Sequence, residues 1–194
     1  MVRIYLVRHG QSVANEQKIF TGQMDVELTE KGREQAKAVC DLIFNNYKVD
    51  KIYSSDLKRA KDTIRPLAEK LGLEITAYKE FREICAGDYQ GVSMAVAKAE
   101  LDYANWWATE DTVLPPNGET IRQLWNRSVN KFCGLVAENE GKNIVIASHN
   151  GVIRALIGFC KNYDASTYRQ AITSVANCSV TEIVYENGVY TVVS

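Results

Sequence analysis

The chain has 194 residues, 46% of them hydrophobic, a length and apolar share that suit one compact domain with its own core. Its 23 basic and 24 acidic side chains give a net charge of -1, without the basic excess that a nucleic-acid partner requires. No segment approaches the roughly 20 apolar residues of a membrane span, and the N-terminus MVRIYLVRHG lacks the long apolar run and small-residue cleavage site of a secretory signal.

Val2 to Val7 reads as a buried strand, and it runs straight into Arg8, His9 and Gly10. From Thr29 to Tyr47 the residues Ala36, Val39, Cys40, Ile43, Phe44 and Tyr47 recur at the three-and-four spacing of one helical face, with Thr29 placed as its cap. KIYSS, from Lys51, is a short strand. Asp56 stands where a cap belongs for the next helix, which runs through Arg59 toward Gly72. Pro66, lacking a backbone donor, is expected to kink or divide that helix. LEITAYK is a third strand.

Between Glu119 and Glu138 the residues Ile121, Leu124, Trp125, Ser128, Val129, Phe132 and Val136 share one face, which predicts a long amphipathic helix. NIVIASH is a second strand that terminates on a histidine. A helix from about Val152 to Phe159 and another around Thr167 lead into CSVTEIVYENGVYTVVS, read as a hairpin turning at Asn187 and Gly188. Strands alternating with helices predict an α/β fold with a mostly parallel central sheet and an antiparallel edge strand. Neither a low-complexity linker nor an internal repeat interrupts the pattern. The five cysteines are scattered, with no CxxC pair, and are expected to be reduced core thiols of a cytoplasmic protein.

The only two histidines, His9 and His149, both follow a strand and precede a glycine by one or two residues. In a parallel sheet that boundary is where ligands collect, because strand ends meet helix N-termini there. One histidine in such a place is more often structural; both in the same kind of place point to a shared site. Two histidines without a neighbouring HxxE or CxxC make a poor zinc site. A GxxxxGK[ST] loop and a GxSxG elbow are both missing. Phosphoryl transfer through histidine fits better: a neutral imidazole is a good nucleophile, and the charge of the transition state calls for fixed cations. Arg8, at the end of the strand, can grip a phosphate bidentately.

LVRHGQS with Asn15, FTGQMDVELTEKG, SSDLKRAKDT, FREICAGDYQG, PPNGET and ASHNGVIRAL together resemble, in order, the signature segments of the histidine phosphatase superfamily, in its phosphoglycerate mutase-like branch. The resemblance covers nearly the whole chain. It implies one domain over residues 1–194, a three-layer α/β/α sandwich, a lid-like insertion at about 84–118, a phosphohistidine intermediate, and neither cofactor nor metal. It makes His9 the nucleophile, sets Arg8, Arg59 and His149 around the phosphate, and makes Glu83 the proton donor. Asn15, Thr21 and Gly22 would then line the substrate site. Where the family usually has His-Gly-Gly, this chain has His149, Asn150, Gly151, so Asn150 is expected to add a side-chain donor to the pocket.

The resemblance leaves open hydrolysis, mutase chemistry of the phosphoglycerate mutase type, or phospholigand binding without catalysis. Within 84–118, Lys98 is the one base against five acids, Asp88, Glu100, Asp102, Glu110 and Asp111, which disfavours a doubly phosphorylated substrate. The paired arginine of the glycolytic mutases is missing there, and Ala86 stands where they carry a tyrosine. Hydrolysis of a small-molecule phosphate monoester is therefore expected. Tyr103 with Trp106 or Trp107 is expected to contact an uncharged or aromatic leaving group, and the exposed edge of the C-terminal hairpin offers a surface for a homodimer.

Overall fold

The structure is a computed structural model that describes residues 1–99, 110–111 and 116–193. Six strands form one sheet: β1 (Val2–Arg8), β2 (Lys51–Ser55), β3 (Ile75–Tyr78), β4 (Asn143–Ser148), β5 (Val180–Glu186) and β6 (Val189–Val192). Their order is β3-β2-β4-β1-β5-β6. The first four run parallel, while β5 pairs antiparallel with β1 and β6 antiparallel with β5. The antiparallel edge is thus a hairpin rather than a single strand. It turns at Asn187 and Gly188, both at positive φ (51° and 84°), as a two-residue turn between twisted strands demands.

Among the described residues the α-helices are α1 (Val13–Gln17), α2 (Glu30–Asn46), α3 (Lys58–Leu71), α4 (Met94–Ala99), α5 (Ile121–Glu138), α6 (Asn150–Cys160) and α7 (Tyr168–Ala171). Because side chains alternate along a strand, the central strands feed two cores. Ile4, Leu6, Ile144 and Ile146 pack with Phe132 and Leu135 of α5 and Val152 and Leu156 of α6. Tyr5, Val7, Val145 and Ala147 pack with Cys40 and Ile43 of α2 and Ile64 and Leu67 of α3. The sheet lies between helices on both faces, so the architecture is an α/β/α sandwich.

Three local expectations need correction. Asp56 does not cap α3: its carboxylate takes both Nε and Nη2 of Arg82, at 2.7 and 2.6 Å. Asp25 accepts from Lys58 N at 2.7 Å instead, and Ser55 Oγ accepts from Leu57 N. Of the two outcomes expected at Pro66, a kink or a division, division does not occur: Ala60 and Ile64 before it and Leu67 and Ala68 after it are buried in one continuous helix. Packing on both sides outweighs the lost hydrogen bond. Phe44 is 45% exposed rather than on the buried face, and Lys70 Nζ stands 5.6 Å from its ring centre. Thr29 does cap α2, accepting from Gly32 N. All five cysteines are free, but only Cys40 and Cys160 are buried. Among the described residues no helix is long and apolar enough to cross a membrane.

Candidate active site

Parallel pairing aligns Arg8 at the end of β1 with Ser148 at the end of β4, and His9 N donates to Ser148 O at 3.0 Å. The next residue on each strand is a histidine, so the register alone delivers both imidazoles to one place. Their ring centres are 5.1 Å apart. From β1 the chain leaves toward the α2 and α3 face, and from β4 toward the α6 face. The crevice is the kind that opens where successive connections diverge to opposite faces.

His9 is 4% exposed, and its Nδ1 lies 2.7 Å from Gly10 O. A carbonyl only accepts, so the proton sits on Nδ1 and Nε2 keeps its lone pair. Gly10 N donates to Thr63 Oγ1, which in turn donates to Arg59 O. A Cβ at Gly10 would fall 2.6 Å from Gly32 O, so the close approach of this loop to α2 excludes any side chain there.

Arg59 and His149, 1% and 0% exposed, are bonded to each other, Arg59 Nε donating to His149 Nδ1 at 3.2 Å. With Nδ1 accepting, the His149 proton belongs on Nε2, which donates to Ser55 Oγ at 2.8 Å. Arg59 Nη1 and Nη2 donate to Met24 O and Gly22 O. Arg59 lines a cavity of about 350 Å³ together with Arg8, His9, Glu83 and Asn150. His149 does not line it and stands behind Arg59.

Arg8 Nη1 donates to Val175 O, while its Nε is buried without a hydrogen-bond partner among the described residues. Asn15, Thr21 and Gly22 also line the cavity. Asn15 Oδ1 accepts from Ser12 N and Asn177 Nδ2, which leaves its NH2 group as the donor for a ligand. Asn150 Oδ1 takes Ser174 Oγ and Val175 N, at 2.9 and 3.0 Å. The Val175 backbone therefore links Asn150, through its N–H, to Arg8, through its carbonyl.

Glu83 reaches the cavity from the loop after β3. Its Oε1 accepts from Ile84 N at 2.9 Å and its Oε2 from Gly151 N at 3.1 Å. A Cβ at Gly151 would sit 2.3 Å from Oε1, so this glycine makes room for the carboxyl. Among the described residues no three His, Cys, Asp or Glu side chains converge to hold a metal ion.

Burial, and after it the Arg59 charge, holds both imidazoles well below the ordinary value of 6.5. Both are therefore neutral at pH 7. Burial also lowers Arg8, and brings Arg59 down to about 10, with the Glu83 carboxylate opposing it in each case. The unfolded chain takes up protons on its histidines as pH falls through 6.5, whereas the native chain does not, so stability is full above that pH and declines below it. Each histidine contributes at most about 1.4 kcal/mol per pH unit. Urea midpoints in phosphate-free buffer should fall between pH 7 and 5.5, and the fall should be shallower in His9→Gln. A flat profile would contradict neutral burial.

Ser55 and Arg154 fall within the segments SSDLKRAKDT and ASHNGVIRAL without a role being assigned to them there, and no motif signals Ser174 or Asn177. Asn177 Nδ2 donates to His9 O at 2.7 Å, and Arg154 lines the cavity while donating to Ile172 O and Arg169 O. Their roles depend on long-range contacts that leave no local pattern. Tyr103, Trp106 and Trp107 lie outside the described residues. Glu110 and Asp111 pair with Arg122, so two of the five acids between 84 and 118 are offset from outside that segment.

A family model described as histidine phosphatase superfamily (branch 1) matches residues 4–194. Phosphoglycerate mutase-like protein 4 of Arabidopsis thaliana is 34% identical over 157 residues, 79% of this chain and 68% of that protein. The glucosyl-3-phosphoglycerate phosphatase of Mycobacterium tuberculosis is 31% identical over 190 residues, 93% of this chain and 84% of that one. A solved structure of mycobacterial glucosyl-3-phosphoglycerate phosphatase with VO3 superposes with a TM-score of 0.87 at 29% identity, covering 98% of this chain and 96% of that chain. An enzyme whose full-length match, fold and paired strand-end histidines all agree in this way belongs to the histidine phosphatase superfamily, branch 1.

Proposed function

We propose that the protein hydrolyses small-molecule phosphate monoesters through a phosphohistidine on His9, without a metal. The observation that carries this reading is the His9 Nδ1 bond to Gly10 O, which frees Nε2 on a cavity shared with Arg8, Arg59 and Glu83. The ester phosphate binds to the two guanidinium groups and the Asn15 amide. His9 Nε2 forms a bond to phosphorus as the bond from phosphorus to the leaving oxygen breaks, and that oxygen takes the Glu83 proton. Water then attacks phosphorus, returns a proton to Glu83 and breaks the N–P bond, releasing phosphate. His149 stays neutral and holds Arg59 toward the transferring group.

Hydrolysis is favoured over mutase chemistry by the cations present. Beyond Arg8 and Arg59, the cavity carries one further guanidinium among the described residues, Arg154, and it is bonded to two backbone carbonyls. Ile19, Phe20, Met94 and Leu124 form an apolar wall that supports an uncharged leaving group. A module that only bound phosphate would need neither a freed Nε2 nor a carboxyl beside it.

Rapid quenching of the EDTA-treated enzyme with a ³²P-labelled monoester tests the mechanism. Base-stable, acid-labile label on the protein, missing from His9→Ala, is the expected result. Turnover that requires added metal, or label retained without His9, would overturn it.

A further inference from the structure

Glu83 lies on a loop, and a loop carboxyl serves as a proton donor only if its backbone is held. Arg127, on the second turn of α5, reaches under this loop. Its Nη1 donates to Glu80 O at 2.6 Å and to Arg82 O at 2.7 Å, and its Nη2 to Glu83 O at 3.0 Å. The guanidinium is itself held by Glu119, Nε to Oε1 at 2.6 Å and Nη2 to Oε2 at 2.8 Å. Glu119 Oε2 also accepts from Cys85 N at 3.1 Å, so the pair binds the chain on both sides of Glu83. Both side chains are largely buried, 20% and 12% exposed. Neither residue lines the cavity.

We propose that Arg127, locked by Glu119, is a positioning residue for the Glu83 carboxyl, fixing the 80–85 backbone so that the acid meets the leaving-group oxygen. This rests on the reading of Glu83 as proton donor given above. A guanidinium suits the task because its planar fork supplies donors to three carbonyls and a carboxylate at once, which an ammonium cannot do in the same geometry. If the loop relaxes, the carboxyl shifts while the phosphate cradle of Arg8, Arg59 and His9, built on other elements, stays in place.

That separation gives a readout that general loss of structure does not. A nitrophenolate departs without protonation near neutral pH, whereas an alkoxide must be protonated as it leaves. Moreover, kcat/KM reports only the steps up to departure of the leaving group, so later hydrolysis of the phosphoenzyme does not blur the comparison. The ratio of kcat/KM for an alkyl phosphate to that for p-nitrophenyl phosphate should fall about 10-fold or more in Arg127→Lys and in Glu119→Gln, in line with the cost of a misplacement near 1 Å. In a Glu83→Gln background, Arg127→Lys should not lower the ratio further.

If the Arg127 and Glu119 variants lose both esters in equal proportion while Glu83→Gln lowers the ratio, the positioning role is wrong and the proton donor stands. If Glu83→Gln leaves the ratio unchanged, the proton-donor reading itself is wrong. Arg127→Lys and Glu119→Gln keep side chains of similar length, and thermal melting of each checks that folded protein is being compared.

Discussion

His9→Ala is expected to lower kcat/KM for p-nitrophenyl phosphate on the order of 10⁴-fold or more. The nucleophile is a single atom, Nε2, and no second histidine can take its place. His149 has Nδ1 engaged by Arg59 and Nε2 by Ser55, and it does not line the cavity. The variant should still fold, because Gly10 keeps its bond to Thr63 and the β1 to β4 register does not depend on the imidazole. Inorganic phosphate should still bind it, through Arg8 and Arg59. Retained turnover in a folded His9→Ala protein would rule out the nucleophile, whereas lost turnover together with lost phosphate binding would point to collapse of the cradle.

Arg59→Ala is expected to damage stability and catalysis together. Its guanidinium, nearly fully buried, serves Met24 O, Gly22 O and His149 Nδ1, so truncation leaves two carbonyls and an imidazole without their donor. A loss of about 2–4 kcal/mol is expected from those orphaned groups, tempered by solvent entering the space. The loss of transition-state charge stabilisation should lower kcat/KM by about 10²–10³-fold beyond any fraction unfolded. Arg59→Lys should recover little of either, because a compact ammonium cannot span the three acceptors. Urea midpoints and kcat/KM on the two variants separate these effects. Near-wild-type turnover in Arg59→Lys would show that charge alone suffices.

The elements that were legible in the chain are those whose cause is local. The apolar spacing of Ala36, Val39 and Ile43 specifies the buried face of α2, and Thr29 stands at its cap in sequence as in structure. The hairpin at Asn187 and Gly188 follows from two residues that tolerate positive φ. Where the cause is remote, local signals misled. Asp56 has the composition and place of a cap yet answers to Arg82, and Asp25, 33 residues before Lys58, does the capping. The short α1 has a capping box at Ser12 and Asn15, a signal too brief to stand out before the fold places it.

The site divides in the same way. Sequence by itself determined that two histidines and an arginine stand at strand ends beside glycines, because strand termination and glycine are local properties. It also carried the ordered segments that Arg59 and Glu83 belong to. Only the tertiary structure decided which nitrogen of each imidazole holds the proton, that His149 stands behind Arg59 rather than on the cavity, and that Arg127 and Glu119 brace the Glu83 loop. The Arg59–His149 and Arg127–Glu83 bonds join residues 90 and 44 positions apart, and even the contact between the adjacent His9 and Gly10 depends on how the fold turns the ring. A hydrogen bond exists only at a particular distance and angle, and distance and angle belong to the packed chain rather than to the order of its residues.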